Sequence, residues 1–143
     1  MVVTEFGMRT YAGAHSSGSL GFGIVDGKSQ PYHQLPLIGR FVRPRLTKWV
    51  HFRDEPLQAS ELRETRGILD SAGVDGAFVC SFSDSIGPFD EVAQYDLDMP
   101  SMSLVKTLRR GHGTTYPDMP WEPKQSFKAV ADFYGETAGA VTS

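Results

Sequence analysis

Val74-Asp75-Gly76-Ala77-Phe78-Val79-Cys80-Ser81-Phe82 is a mostly unbroken apolar run of strand length. A run without polar alternation suits a strand covered on both faces, as in parallel sheets. Just upstream, Pro56 suits a first helical turn, and Glu61 and Glu64 sit early, where the helix dipole favours anions. Leu57, Leu62, Leu69 and Ala72 recur at roughly helical spacing, and Gly73 reads as the helix stop. Helix, glycine and buried strand form an αβ step, so the fold class is α/β.

Working back to the start, strand-like Val2-Val3-Thr4 runs into Glu5-Phe6-Gly7, which puts a carboxylate at a strand end. Residues 8–55 read as irregular, because Gly13, Gly18, Gly21, Gly23, Gly27 and Gly39 alternate with Pro31, Pro36 and Pro44. Within them, Phe22-Gly23-Ile24-Val25 and Phe41-Val42 suit short extended pieces. A connection this long inside a compact domain points to function or poor order. Gly18-Ser19-Leu20-Gly21-Phe22-Gly23 lacks the preceding strand and following helix that a phosphate loop needs. The basic run Arg40-Phe41-Val42-Arg43-Pro44-Arg45-Leu46-Thr47-Lys48 reads as a solvated loop.

Downstream, an acidic loop over 83–91 leads to Tyr95-Asp96-Leu97-Asp98-Met99-Pro100. Pro100 and Ser101 open a predicted short helix, with Met102, Val105 and Leu108 on one stripe, cations near its end and Gly111 as its stop. The proline-rich stretch over 113–123 reads as an ordered surface loop. Pro123 starts a last predicted helix carrying Phe127, Val130, Ala131 and Tyr134, and Gly135 ends it. The domain therefore spans 1–135, with 136–143 as a frayed tail.

Composition narrows the function classes. A chain of 143 residues with 40% hydrophobic and 22% charged residues suits one soluble domain. A formal charge of -3 gives no electrostatic footprint for nucleic acid or an anionic membrane. No apolar stretch is long enough to span a bilayer and no leader is visible, so the expected compartment is cytoplasmic. Cys80 is the single cysteine, which precludes an intrachain disulfide, and its apolar β-prone neighbours predict a buried structural thiol. His15, His33, His51 and His112 are widely separated, without metal-ligand spacing, and read as surface residues. No cofactor is implied.

Carboxylates carry the chemistry. If the two strands are parallel, Glu5 and the Asp84 loop lie at the same sheet end, where two acidic groups can divide nucleophile and acid or base roles. Asp84, Asp90, Asp96 and Asp98 also invite a calcium reading, but no EF-hand loop is present, and acidic loops are mostly solvated or cap helices. Ser16-Ser17 and Ser81-Phe82-Ser83 lack the nucleophile elbow of serine hydrolases. Among Tyr11, Phe22, Tyr32, Trp49, Phe52 and Trp121, it is Tyr11, just after the Glu5 strand, whose position favours stacking on a sugar ring.

Val3-Thr4-Glu5-Phe6-Gly7 resembles the seventh-strand signature of the large glycoside hydrolase clan of (β/α)8 barrels. Gly73-Val74-Asp75-Gly76-Ala77-Phe78-Val79, Tyr95-Asp96-Leu97-Asp98-Met99 and Gly113-Thr114-Thr115-Tyr116-Pro117-Asp118-Met119-Pro120-Trp121-Glu122-Pro123-Lys124 are similar, more narrowly, to the C-terminal part of a bacterial family of barrel proteins often labelled hypothetical or abortive-infection proteins. The resemblance covers most of residues 2–135. It implies the C-terminal portion of a (β/α)8 TIM barrel, strands seven and eight with their helices, with strands one to six absent. It also implies Glu5 as the nucleophile of a retaining mechanism on a carbohydrate substrate. The acid/base carboxylate of that clan comes from the fourth strand and has no counterpart here. The expectation is therefore an O-glycosyl hydrolase fragment with Glu5 as its catalytic residue and Tyr11, Asp84 and Asp96 as substrate contacts, completed by a complementary barrel chain. The alternative is a non-catalytic remnant or interaction module that forms a homo-oligomer through open sheet edges.

Overall fold

A computed structural model describes residues 1–16, 24–26, 43–47 and 52–141, with side chains through residue 135. Strand β1 spans Val2–Phe6 and helix α1 spans Glu55–Ser71. The Asp54 carboxylate caps α1 by accepting from the Leu57 amide at 2.9 Å, and Pro56 sits in its first turn, where a missing N–H costs nothing. Gly73 leaves the helix at φ 67°, a left-handed conformation that side chains resist. Strand β2, Gly76–Val79, follows and pairs parallel to β1, with Val2 opposite Gly76, Val3 opposite Ala77 and Phe6 opposite Val79. The αβ step is thus present, shorter than the apolar run that announced it.

The second half differs from its expectation. Residues 105–107, expected in a helix, form strand β3, Val105–Thr107, antiparallel to β4, Trp121–Pro123. Spacing of Met102, Val105 and Leu108 fits a helix. Two influences oppose it: β-branched Val105 and Thr107 favour a pleated surface, and residues 121–123 supply a cross-strand partner for each position. Helix α2 begins at Gln125, because Pro123 closes β4, and it passes through Gly135 to Val141. A glycine costs about 1 kcal/mol within a helix without preventing it.

The expected barrel portion is overturned. The described residues hold two long helices and two separate two-stranded sheets, β1 with β2 and β3 with β4. A sector of a (β/α)8 barrel carries its strands in one parallel sheet. Here the second pair is antiparallel and joins neither strand of the first.

Helices α1 and α2 pack on each other and on one face of the β1–β2 pair. That core unites Leu62, Leu104 and Val105 with Phe6, Val79, Trp121, Phe127 and Val130. A second cluster gathers Tyr11, Ala14, Ile24, Leu46, Leu97 and Met99 beneath the described pieces of the long connection. Gly7 is packed tightly against the chain beyond β2: a Cβ there would lie 2.5 Å from the Cys80 carbonyl oxygen. Contrary to the two-sided burial expected of β2, Phe78 is 63% exposed. Of the extended piece expected at Phe22-Gly23-Ile24-Val25, Val25 bridges Leu46 in antiparallel fashion, while Phe22, Gly23 and the piece expected at Phe41-Val42 lie outside the described residues.

Candidate functional site

Glu5 lies exposed on β1, at an irregularity of the sheet. Between Val3 and Phe6 the chain advances further than β2 does between Ala77 and Val79, so an extra residue bulges at Thr4 and Glu5. Such bulges redirect a side chain and end regular pairing. Across from it, Cys80 is partly exposed rather than buried, and its amide donates to the Phe6 carbonyl at 2.8 Å. The Cys80 thiol also hydrogen-bonds the Glu5 carboxylate, which together with desolvation holds it protonated above the ordinary thiol range. A thiol so held is a poor nucleophile.

The other expected contacts are dispersed. The Tyr11 ring is 2% exposed within the second core cluster, so it offers no open face to a sugar. Asp84 is occupied by its own turn, where its Oδ1 accepts from the Ile86 amide at 2.9 Å and the Gly87 amide at 3.2 Å. Asp96 is buried against Arg53, whose Nη2 reaches its Oδ2 at 2.7 Å. Burial raises the Asp96 carboxyl above its ordinary range, and the Arg53 charge only partly offsets that. Asp90 pairs with Arg43 and Asp26 with Arg45, so described members of the basic run are engaged in ion pairs. His15 is exposed, as is His112, which hydrogen-bonds the Pro117 carbonyl oxygen at 2.7 Å through Nδ1, while His33 and His51 lie outside the described residues. Among the described residues no group of three or more His, Cys, Asp or Glu side chains is placed to hold a metal ion.

What the fold does assemble is a buried ionic knot at the helix origins. Lys124, directly before α2, is fully enclosed, and its Nζ donates to Asp98 Oδ2 at 2.8 Å, Thr10 Oγ1 at 3.0 Å and Ser103 Oγ at 3.1 Å. Asp98 also receives Arg53 Nη2 at 2.8 Å and the Ser101 and Ser103 hydroxyls at 3.2 and 3.1 Å. Burial lowers the Lys124 pKa, against the pull of Asp98 in the other direction. Although burial opposes its charge, Arg53 is held above its ordinary value by Asp96 and Asp98. Glu55 completes the knot by accepting from Arg53 at 3.1 Å, Lys106 at 2.8 Å and the Gln125 amide at 3.2 Å.

Sequence reasoning did not single out Lys124 or Arg53, and the residues they join are far apart in the chain. A signal existed in the 96–103 stretch, where two aspartates and two serines alternate closely with apolar residues. Charges and hydroxyls set among Leu97, Met99 and Leu104 have to be paired if that stretch is buried. Chemically the knot is saturated: its groups are committed to one another, with Lys124 and Asp98 shut off from solvent at its centre, which suits fixing the loops between β2, β3 and α2.

No protein-family model matches the chain, and no curated protein matches it. No described helix is long and apolar enough to cross a membrane.

Proposed function

We propose that this chain is a non-catalytic interaction module that pairs with a second copy of itself through the β1–β2 sheet. The observation that carries the reading is the exposed outer side of that sheet. Phe78 is 63% and Val2 54% exposed, and no backbone partner lies along the outer edge of β1 among the described residues. Parallel strands are ordinarily covered on both faces, and an unpaired apolar edge is a template for another strand. The exposed 63% of a side chain of about 200 Å² would contribute about 3 kcal/mol if buried. The bulge at Thr4 and Glu5 limits the pairing segment to the Val2 end of the strand.

Sedimentation and light scattering across a wide concentration range test this. The expected result is a concentration-dependent dimer that Phe78→Glu and Val2→Lys convert to monomer without lowering thermal stability. A monodisperse monomer throughout would refute it.

A hydrolytic reading has one observation in its favour: the exposed Glu5 carboxylate on its bulge, within the stretch that resembles a glycosidase nucleophile strand. A retaining mechanism needs a second carboxylate about 5–5.5 Å away. In this reading it comes from the paired chain. Hydrolysis of aryl glycosides by the oligomer, lost in Glu5→Gln, is the expected result; turnover unchanged by that substitution excludes the role.

A further inference from the structure

On the opposite, helix-covered face of the β1–β2 pair lies a cavity of about 280 Å³. Its walls are Phe6 and Val79 from the strands, Leu62 and Arg66 from α1, and Val130 and Phe133 from α2. The lining is apolar apart from Arg63, Arg66 and Asp132. Arg66 lays its guanidinium over the Phe133 ring, 4.4 Å from the ring centre, and its Nε and Nη1 are buried without a hydrogen-bond partner among the described residues. Arg63 adds a second positive charge at the wall. The acidic wall residue, Asp132, is already engaged by Lys128 at 2.7 and 2.8 Å.

Buried donors left unpaired are costly, and charged ones most of all. The missing partner is an acceptor, and a cation in apolar surroundings selects an anionic one. Size sets the remainder of the ligand. A cavity of about 150 Å³ takes benzene, so a space of about 280 Å³ holds roughly ten heavy atoms. We propose that this cavity binds a medium-chain monocarboxylate, its chain between the helices and the sheet and its carboxylate on Arg66.

Calorimetric titration of the intact chain with octanoate, octan-1-ol and octylamine tests the site. Octanoate is expected to bind with Kd of about 1 mM or tighter, and octanol about tenfold more weakly, since it loses the charge-assisted bond. Octylamine is expected not to bind. Arg66→Met should erase the preference for octanoate over octanol while leaving octanol binding in place. Val130→Trp, which fills the space, should abolish both. Should Arg66→Met fail to fold, the three-ligand comparison on the unaltered chain decides alone. No octanoate binding at about ten times that concentration, equal affinity for octanoate and octanol, or an undiminished preference in a folded Arg66→Met chain overturns the proposal.

Discussion

Asp98→Asn removes the charge that buried Lys124 and part-buried Arg53 share, each at 2.8 Å. Lys124 is then left with neutral hydroxyls, in a site where neither its side chain nor that of residue 98 touches solvent. Removing one partner of a buried pair costs about 3–5 kcal/mol, most of it from the stranded charge. Lys124→Met is a gentler change, because Asp98 keeps Arg53 and two hydroxyl donors while an apolar side chain replaces the ammonium. Its expected cost is about 1–2 kcal/mol. The pair together should cost at least about 2 kcal/mol less than the sum of the two, since the second change removes the charge that the first one stranded. Urea unfolding at neutral pH with a common slope measures all three, and Asp98→Asn should lower Tm by roughly 10–20 °C. Equal or reversed single costs, or strict additivity, would refute the knot as the organiser of this region.

Proton linkage gives two effects of the same sign at the two extremes of pH, each making stability rise with pH. Burial lowers the folded pKa of Lys124 below 10.5, so between the two values the unfolded chain holds the extra proton and stability from this group rises with pH; Lys124→Met should remove that gain as the pH is raised towards 10.5, read as urea midpoints. Glu122, lowered below 4.5 chiefly by the Thr115 hydroxyl and further by neighbouring amides, contributes stability that is lost as pH falls through its folded value, and Glu122→Gln should flatten the acid limb. Glu5→Gln removes the carboxylate that keeps the Cys80 thiol protonated, so alkylation of Cys80 near pH 8 should accelerate several-fold; an unchanged rate would separate the two side chains. Gly7→Ala would press a methyl group to 2.5 Å from the Cys80 carbonyl oxygen and should cost about 1–3 kcal/mol in urea unfolding.

The helix-to-strand step was legible because local rules agreed with tertiary ones: Pro56 at the start, leucines at helical spacing, Gly73 at the stop and an apolar run beyond. Residues 101–110 were misread because the same apolar spacing serves a helix or a strand, and the partner that decides, Trp121–Pro123, looked like loop among prolines. The barrel expectation depended on resemblance, and the antiparallel second sheet removes it. Glu5 was legible as an exposed carboxylate near a strand end, though not the bulge beneath it, which only pairing with β2 reveals. The Lys124 knot was illegible because its members come from four separated stretches, and no local pattern records which cation a buried aspartate meets.

Glu55 ties both helix origins into one mechanical unit. Because it accepts from the first amide of α2 while standing at the first position of α1 and holding Lys106 of β3, neither helix can fray at its start without releasing the other. Amide exchange in those two first turns therefore reports a single shared opening, and two helices separated in the chain by β2, β3 and β4 breathe together.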